Sequence, residues 1–194
     1  MRRNKADTAE TIRKLIEVAR THFTDYGYAD AALESIVQGA NLTRGAVYHH
    51  FRSKKELFRI VLEDVQREVA GRVEQEAATS EDAWQQLILG CRAFVMAAVE
   101  ERNRRILLID GPAILGWDVW REMDRNHSMR LLREQLGMMQ DQGYFRTVPL
   151  DALTHFISGG LNETALRLAN ESLQPNALEE TMKVLSVLLE GLRR

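Results

Sequence analysis

Residues 30–58 read Asp30-Ala31-Ala32-Leu33-Glu34-Ser35-Ile36-Val37-Gln38-Gly39-Ala40-Asn41-Leu42-Thr43-Arg44-Gly45-Ala46-Val47-Tyr48-His49-His50-Phe51-Arg52-Ser53-Lys54-Lys55-Glu56-Leu57-Phe58. Leu33, Ile36 and Val37 fall at helical steps, which predicts a short helix from about Ala31 to Gly39 with Asp30 as its cap. Asn41 follows, and asparagine tolerates a left-handed backbone better than other non-glycine residues, so a tight turn is expected there. Thr43 is placed to cap another short helix running to about His50. Ser53-Lys54-Lys55-Glu56 then has capping-box spacing and restarts a helix that reaches about Ala77. Two short helices across a turn of this length form a helix-turn-helix.

Helical spacing dominates on both sides of this stretch, and no segment alternates as a half-buried strand does. Upstream, Asp7 or Thr8 can cap a first helix carrying Ile12, Leu15, Ile16, Ala19 and Phe23, and Gly27 ends it. Downstream, Ser80 or Glu81 begins a helix that turns Trp84, Leu87, Ile88, Cys91, Phe94, Val95 and Ala98 inward. Ile106–Leu115 is short and apolar, interrupted at Gly111-Pro112. A long helix is expected over Trp117–Gln142, another from Pro149 to about Glu171, and a last one from Pro175 to Leu192. The fold class is all-α with about nine helices. The domain boundary falls near Phe51–Ser53, giving domains 1–52 and 53–194.

The chain has 194 residues with 26 Lys and Arg against 28 Asp and Glu. Its charge is unevenly spread: residues 1–60 hold 11 bases and 7 acids, and Asn41–Lys55 holds four bases and no acid. A basic front end on a near-neutral chain points to a module that faces nucleic acid. The single Cys excludes an intramolecular disulfide and a Cys-based zinc cluster, so a reducing, cytoplasmic setting is expected. The longest run without Asp, Glu, Lys or Arg is Ala152–Asn162, 11 residues, against the ~18–20 that cross a bilayer. The N-terminus lacks an apolar stretch of the signal-peptide kind. No membrane partner is expected.

In a helix-turn-helix the second helix enters the major groove and its N-terminal side chains reach base edges. Here Leu33, Ile36, Val37, Leu42, Val47 and Phe51 form the buried stripe, and the face left outside carries Thr43, Arg44, Gly45, Ala46, Tyr48 and His49. Gly45 and Ala46 are small enough for close approach. Arg44 can pair with a guanine in two places, and Ala46 can meet a thymine methyl. Tyr48 and His49 can donate to phosphates, with Lys54 and Lys55 beside a helix N-terminus that adds amide donors.

The run Ala40-Asn41-Leu42-Thr43-Arg44-Gly45-Ala46-Val47-Tyr48-His49-His50-Phe51, followed by Ser53-Lys54-Lys55-Glu56-Leu57-Phe58, resembles the DNA-binding segment of the TetR family of bacterial transcriptional regulators. The resemblance extends back through Ile12 to Gly27-Tyr28 and covers roughly residues 8–60. It implies an N-terminal three-helix DNA-binding bundle, followed by a helical domain for effector binding and dimerisation. Three departures stand out. Ala31-Ala32 occupies the place where the family often starts a helix with a phosphate-binding Thr or Ser, Asn41 replaces a turn glycine, and Arg52 replaces a proline.

For the second half, the resemblance implies a homodimer that binds a palindromic double-stranded operator and is released by a small-molecule effector, most simply as a repressor. Leu153, Phe156, Ile157, Gly160, Leu161, Ala165 and Leu168 form one apolar stripe. Leu178, Met182, Leu185 and Leu189 form another, with Val184 and Leu188 beside it. Phe156, Ile157, Gly160, Leu161, Leu168, Met182, Leu185 and Leu189 are the candidate dimer residues. Cys91, Phe94, Trp117, Trp120, His127 and His155 are the candidate effector-lining residues, for an effector that is small and apolar or aromatic. No cofactor and no metal is expected, since the His residues lack zinc-motif spacing. No glycine loop cradles a phosphate, and an enzyme is not expected. The alternative reading is a ligand-binding helical protein that has lost specific DNA binding.

Overall fold

The computed structural model describes residues 5–45, 51–170 and 176–193. Its helices are α1 Lys5–Asp30, α2 Leu33–Gly39, α3 Lys54–Ala77, α4 Ala83–Val99, α5 Glu101–Arg104, α6 Gly111–Leu115, α7 Trp117–Asn126, α8 Ser128–Asp141, α9 Leu150–Asn170 and α10 Ala177–Glu190, with a π-helical segment Arg105–Asp110 between α5 and α6. Arg44 and Gly45 are helical as well. The rest of the helix expected to His50, with Ala46, Tyr48 and His49, lies outside the described residues, as does Pro175. Among the described residues the sole extended pairing is one antiparallel bridge between Phe145 and Arg193. The all-α expectation holds.

The chain packs as two compact units, one of Met1–Val65 with Glu101–Trp120 and the other of Gln66–Glu100 with Arg121–Arg194. The first unit is built around rings. Phe23, wholly buried on α1, meets Phe58 of α3 edge-on at 5.1 Å and stacks on Tyr28 at 6.0 Å. Leu15, Ala19, Ala31, Ile36, Leu57, Val61 and Leu62 close around them. Arg20, also buried, donates to Asn103 Oδ1 at 2.6 Å and lies 3.8 Å from Asp64. In the second unit α4 packs between α9 and α8. Leu87, Cys91, Val95, Leu136, Met139, Phe145, Ile157 and Ala165 supply its core.

Several helix ends depart from the sequence expectations, each for a local reason. α1 is already helical at Lys5, upstream of the expected cap at Asp7 or Thr8. It breaks at Gly27 as expected (φ 75, ψ 172), but a last helical turn resumes through Asp30, closed by Ala31 N–H donating to Gly27 O at 3.1 Å. Asp30 is thus spent inside that turn, and the cap of α2 is the extended Ala32, which has no side-chain hydrogen bond to offer. The cap of α4 is Asp82, not Ser80 or Glu81. Its carboxylate accepts from Gln85 N–H at 2.8 Å, while Ser80 Oγ accepts from Asp82 N–H at 3.2 Å.

The apolar segment expected over Ile106–Leu115 is divided. Pro112 has no N–H for the helical ladder, and Gly111 lies so close to the Ile106 carbonyl that a Cβ there would stand 2.8 Å from it. The ladder widens to π spacing just before this pair and restarts with proline in its first turn. The long helix expected over Trp117–Gln142 is two helices, broken at His127 (φ −122, ψ −108). The break is flanked by Asn126 and Ser128, residue types whose side chains compete with the helix backbone for hydrogen bonds. His127 N–H closes α7 on Asp124 O at 3.1 Å.

Candidate nucleic-acid interface and effector cavity

The turn between α2 and the following helix satisfies its own backbone. Leu42 N–H donates to Val37 O at 3.1 Å and Asn41 N–H to Gln38 O at 2.9 Å, which is the paired bonding of a Schellman C-cap. The pattern needs a left-handed residue at Asn41. Its φ is 56, and among the described residues it is the one non-glycine with positive φ. Ile36, Val37, Ala40 and Phe51 are buried beneath the turn. The chain therefore leaves the turn in a fixed direction, and Thr43, Arg44 and Gly45 emerge exposed at the start of the next helix. Among the described residues, a Cβ added at Gly45 would meet nothing within 4 Å.

Arg44 is 65% exposed along its side chain and sits 3.2 Å from Glu34 of α2. An exposed pair of this kind contributes ~0–1 kcal/mol. Glu34 thus points the guanidinium without holding it against a guanine or a phosphate.

Ser53 caps α3 as its spacing predicted: Glu56 N–H donates to Ser53 Oγ at 3.1 Å. The reciprocal half of the box is absent, because the Glu56 carboxylate accepts from Arg59 instead. Lys55 is exposed. Lys54 folds back, donating to the Ala29 carbonyl at 3.1 Å with its ammonium 4.6 Å from the centre of the Tyr28 ring. Burial holds its pKa below the ordinary lysine value, while Asp30 pulls the other way. Lys54 is a brace between α1 and α3, a role that sequence spacing alone did not reveal. The Gly27-Tyr28 pair was its available signal, since the break at Gly27 turns that ring toward α3.

In the second unit a cavity of about 340 Å³ opens between α3, α4, α7, α8 and α9. Val73, Leu87, Phe94, Met129, Leu132 and Leu161 give it apolar walls. Asp124, Ser128 and Ser158 add buried polar groups. Arg121 bonds Asp124 and donates to Ser158 Oγ at 3.0 Å. Burial pushes the Asp124 carboxyl up from the ordinary aspartate value, and the charge of Arg121 opposes that rise. Cys91 also lines the cavity, with its thiol pushed up to about 12 by complete burial, so it stays protonated near neutral pH.

Of the six residues expected to line an effector site, Cys91 and Phe94 meet at this cavity. Trp117 and Trp120 belong to the first unit, where their rings stack at 5.1 Å. Trp120 is buried with Nε1 donating to Leu107 O at 2.8 Å, whereas Trp117 is 61% exposed. His127 stands at the break before α8 and does not line the cavity. His155 is exposed on α9, where its Nδ1 lies 2.7 Å from Asp151 O. Sequence reasoning missed Asp124, Ser128 and Ser158, whose only signal was a polar residue on an otherwise inward-facing helix stripe.

The stripes on α9 and α10 divide by face. Ile157, Leu161, Leu168, Met182 and Leu189 are buried, and of these Ile157, Leu161 and Leu189 also form the floor of the groove between α9 and α10. Phe156, 70% exposed, and Gly160 stand on the outer face of α9, with Val184, Val187 and Leu188 exposed on α10 and Leu185 half-buried. His155, Phe156, Gly160, Val184 and Leu188 line one apolar groove there. Among the described residues no helix is long and apolar enough to cross a membrane.

The family model described as "Bacterial regulatory proteins, tetR family" matches residues 15–61, and the one described as "Tetracyclin repressor-like, C-terminal domain" matches residues 84–192. A crystal structure of a TetR-family transcriptional regulator from Pectobacterium atrosepticum is 32% identical, with a TM-score of 0.81 over 98% of each chain. The chain is similar to the probable acrEF/envCD operon repressor of Escherichia coli K12, 42% identical over 57 residues, and to the A-factor receptor protein of Streptomyces griseus, 30% identical over 139 residues. These matches cover 29% and 69% of the chain, and the chain spans 26% and 48% of those two relatives.

Proposed function

The chain belongs to the TetR family of bacterial regulatory proteins, a family of transcriptional regulators and not of enzymes, and from that premise we propose that it is a cytoplasmic, effector-released repressor acting as a homodimer on a palindromic operator. The observation that carries the reading is the pairing of two features in one chain. An exposed helix start at Thr43-Arg44-Gly45 is aimed by a self-satisfied turn, and a separate unit holds a cavity of about 340 Å³. Thr43, Arg44 and Gly45 meet the major groove together with Ala46, Tyr48 and His49, and Lys55 meets phosphate. The functional boundary lies between residues 52 and 53. The direction of control is supported by the relative named as an operon repressor, whose match is confined to 57 residues.

Two copies joined through the outer faces of α9 and α10 hold two recognition helices at one spacing. A palindrome repeats that spacing in its half-sites. Effector binding favours a second spacing. α3 provides the link, because it belongs to the first unit through Val65 and to the second from Gln66, where Val73, Glu74 and Ala77 line the cavity. A ~100-fold difference in effector affinity between the two conformers, about 2.7 kcal/mol, releases much of the operator.

The test is selection of sheared source genomic DNA by the purified effector-free protein, followed by sequencing of what is retained. One or a few palindromes are the expected result. Retention without sequence preference at low salt would favour a ligand-binding protein that has lost its operator, a reading for which the hydroxyl-free cap at Ala32 is the observation in favour.

A further inference from the structure

The cavity's size, wall chemistry and charge restrict what it can hold. A 150 Å³ void lined by hydrocarbon takes benzene, so about 340 Å³ matches a body of roughly two fused rings. The charged residues that line it are Glu74, Asp124 and Glu134, all carboxylates, with no Lys, Arg or His among the lining residues. The nearby cations are committed to those carboxylates. Arg121 bonds Asp124 and Ser158, and Arg130 lies 2.9 Å from Glu134 and 4.0 Å from Glu74. An acid group entering here brings another negative charge toward Asp124, in a buried site where like charges repel strongly.

Acceptors, in contrast, are in surplus. A carboxylate offers about four lone-pair positions, and Asp124 receives Arg121 and Asn162. Asn162 donates its Nδ2 to Ser158 O at 3.0 Å, and its buried Oδ1 has no hydrogen-bond partner. Acceptor positions on the carboxylates outnumber the donors of the lining, which are the Ser128 and Ser158 hydroxyls and the Gln86 and Gln135 amides.

We infer that the cavity takes a small apolar molecule of one or two rings that carries a hydrogen-bond-donating head, a hydroxyl or an amine, and no acid group. The inference rests on the reading of this cavity as the effector site. The buried Asp124 receives the donor, and the ring system lies against Leu87, Phe94, Met129 and Leu161.

The test uses four fluorescent probes of one shape titrated into the full chain: 2-naphthol, 2-naphthylmethylamine, naphthalene and 2-naphthoate. The two donors are expected to bind about 10-fold or more tightly than naphthalene, as a hydrogen bond to a charged acceptor allows, with naphthoate weakest. Asp124→Asn, checked for folding by circular dichroism, keeps a partner for Arg121 and removes the charge. It should cut the donors' advantage about 10-fold and narrow naphthoate's deficit. Naphthoate binding as tightly as naphthol, or an order of affinities unmoved by Asp124→Asn, would overturn the inference while leaving the cavity as the effector site. Binding of every probe unchanged by Gly90→Phe, which fills the cavity beside Val73 and Ala77, would instead overturn the effector-site reading and the inference with it. Absence of binding by all four probes would do the same.

Discussion

The two units of this chain are both helical, yet they use apolar residues in opposite ways. In the first, Phe23, Tyr28 and Phe58 interlock ring on ring, with Leu15, Ile36 and Leu62 closed around them. In the second, Leu87, Phe94, Met129 and Leu161 stop short of one another and leave a cavity of about 340 Å³, while Phe156, Val184, Val187 and Leu188 face outward. Close-packed interiors transmit strain and resist deformation. On the proposed function, a reading head must keep its side chains at fixed positions, whereas an effector-binding unit needs room for a guest and a face for a second copy. The difference in packing follows the difference in work.

That comparison breaks first at Phe23. Phe23→Ala empties the centre of the ring cluster and should cost about 3–5 kcal/mol, read as a lowered urea midpoint. A loss below 1 kcal/mol would mean that the first unit is as loosely packed as the second. On the other side, Phe156→Glu with Leu188→Glu places two carboxylates on the outer face of α9 and α10. The variant should sediment as a monomer, keep its helical circular dichroism, and lose about 100-fold in operator affinity, equal to ~2.7 kcal/mol. A variant that still sediments as a dimer would assign dimerisation to another surface.

Gly27→Ala sharpens the contrast by asking how strictly the first unit is specified. Gly27 occupies a backbone region (φ 75, ψ 172) that side-chain-bearing residues rarely adopt, and a Cβ there would displace the Arg105 guanidinium. The expected cost is about 1–3 kcal/mol, measured by thermal unfolding. A smaller gain should come from Ala32→Ser, which supplies the hydroxyl that the cap of α2 lacks. It should stabilise the protein by ~1 kcal/mol and strengthen operator binding if the hydroxyl also reaches a phosphate.

Legibility in the sequence follows the same division. Where one residue type meets one backbone need, the residue announces the structure: Asn41 at the left-handed turn, Gly27 at the break in α1, Ser53 at the cap of α3. Competing local signals were harder to rank. Ser80, Glu81 and Asp82 could all start α4, and only the geometry of the Asp82 carboxylate on Gln85 N–H separates them. The π segment at Arg105–Asp110 and the break at His127 arise where Pro112 and the Asn126-His127-Ser128 run disturb otherwise regular helices. Least legible was the cavity, because an apolar side chain reads alike whether it faces a cavity, as Phe94 does, or a filled core, as Trp120 does. Ser158 meets Arg121 across 37 positions of chain, which spacing does not reveal, whereas the Arg121–Asp124 pair is a local i,i+3 contact.

The central claim is that the helix opened by Thr43 and Arg44 reads DNA sequence. Its most direct test is the affinity of the parent and of Arg44→Ala for a palindrome recovered by genomic selection and for a scrambled copy, each over a range of salt concentrations. The parent should prefer the palindrome, with log K falling steeply as log[salt] rises, by about 0.9 for each phosphate contacted. Arg44→Ala should lose about 1–3 kcal/mol of that preference while its salt slope changes by roughly one contact or less. Equal preference in the parent and in Arg44→Ala would contradict the assignment of this helix start as the reading surface.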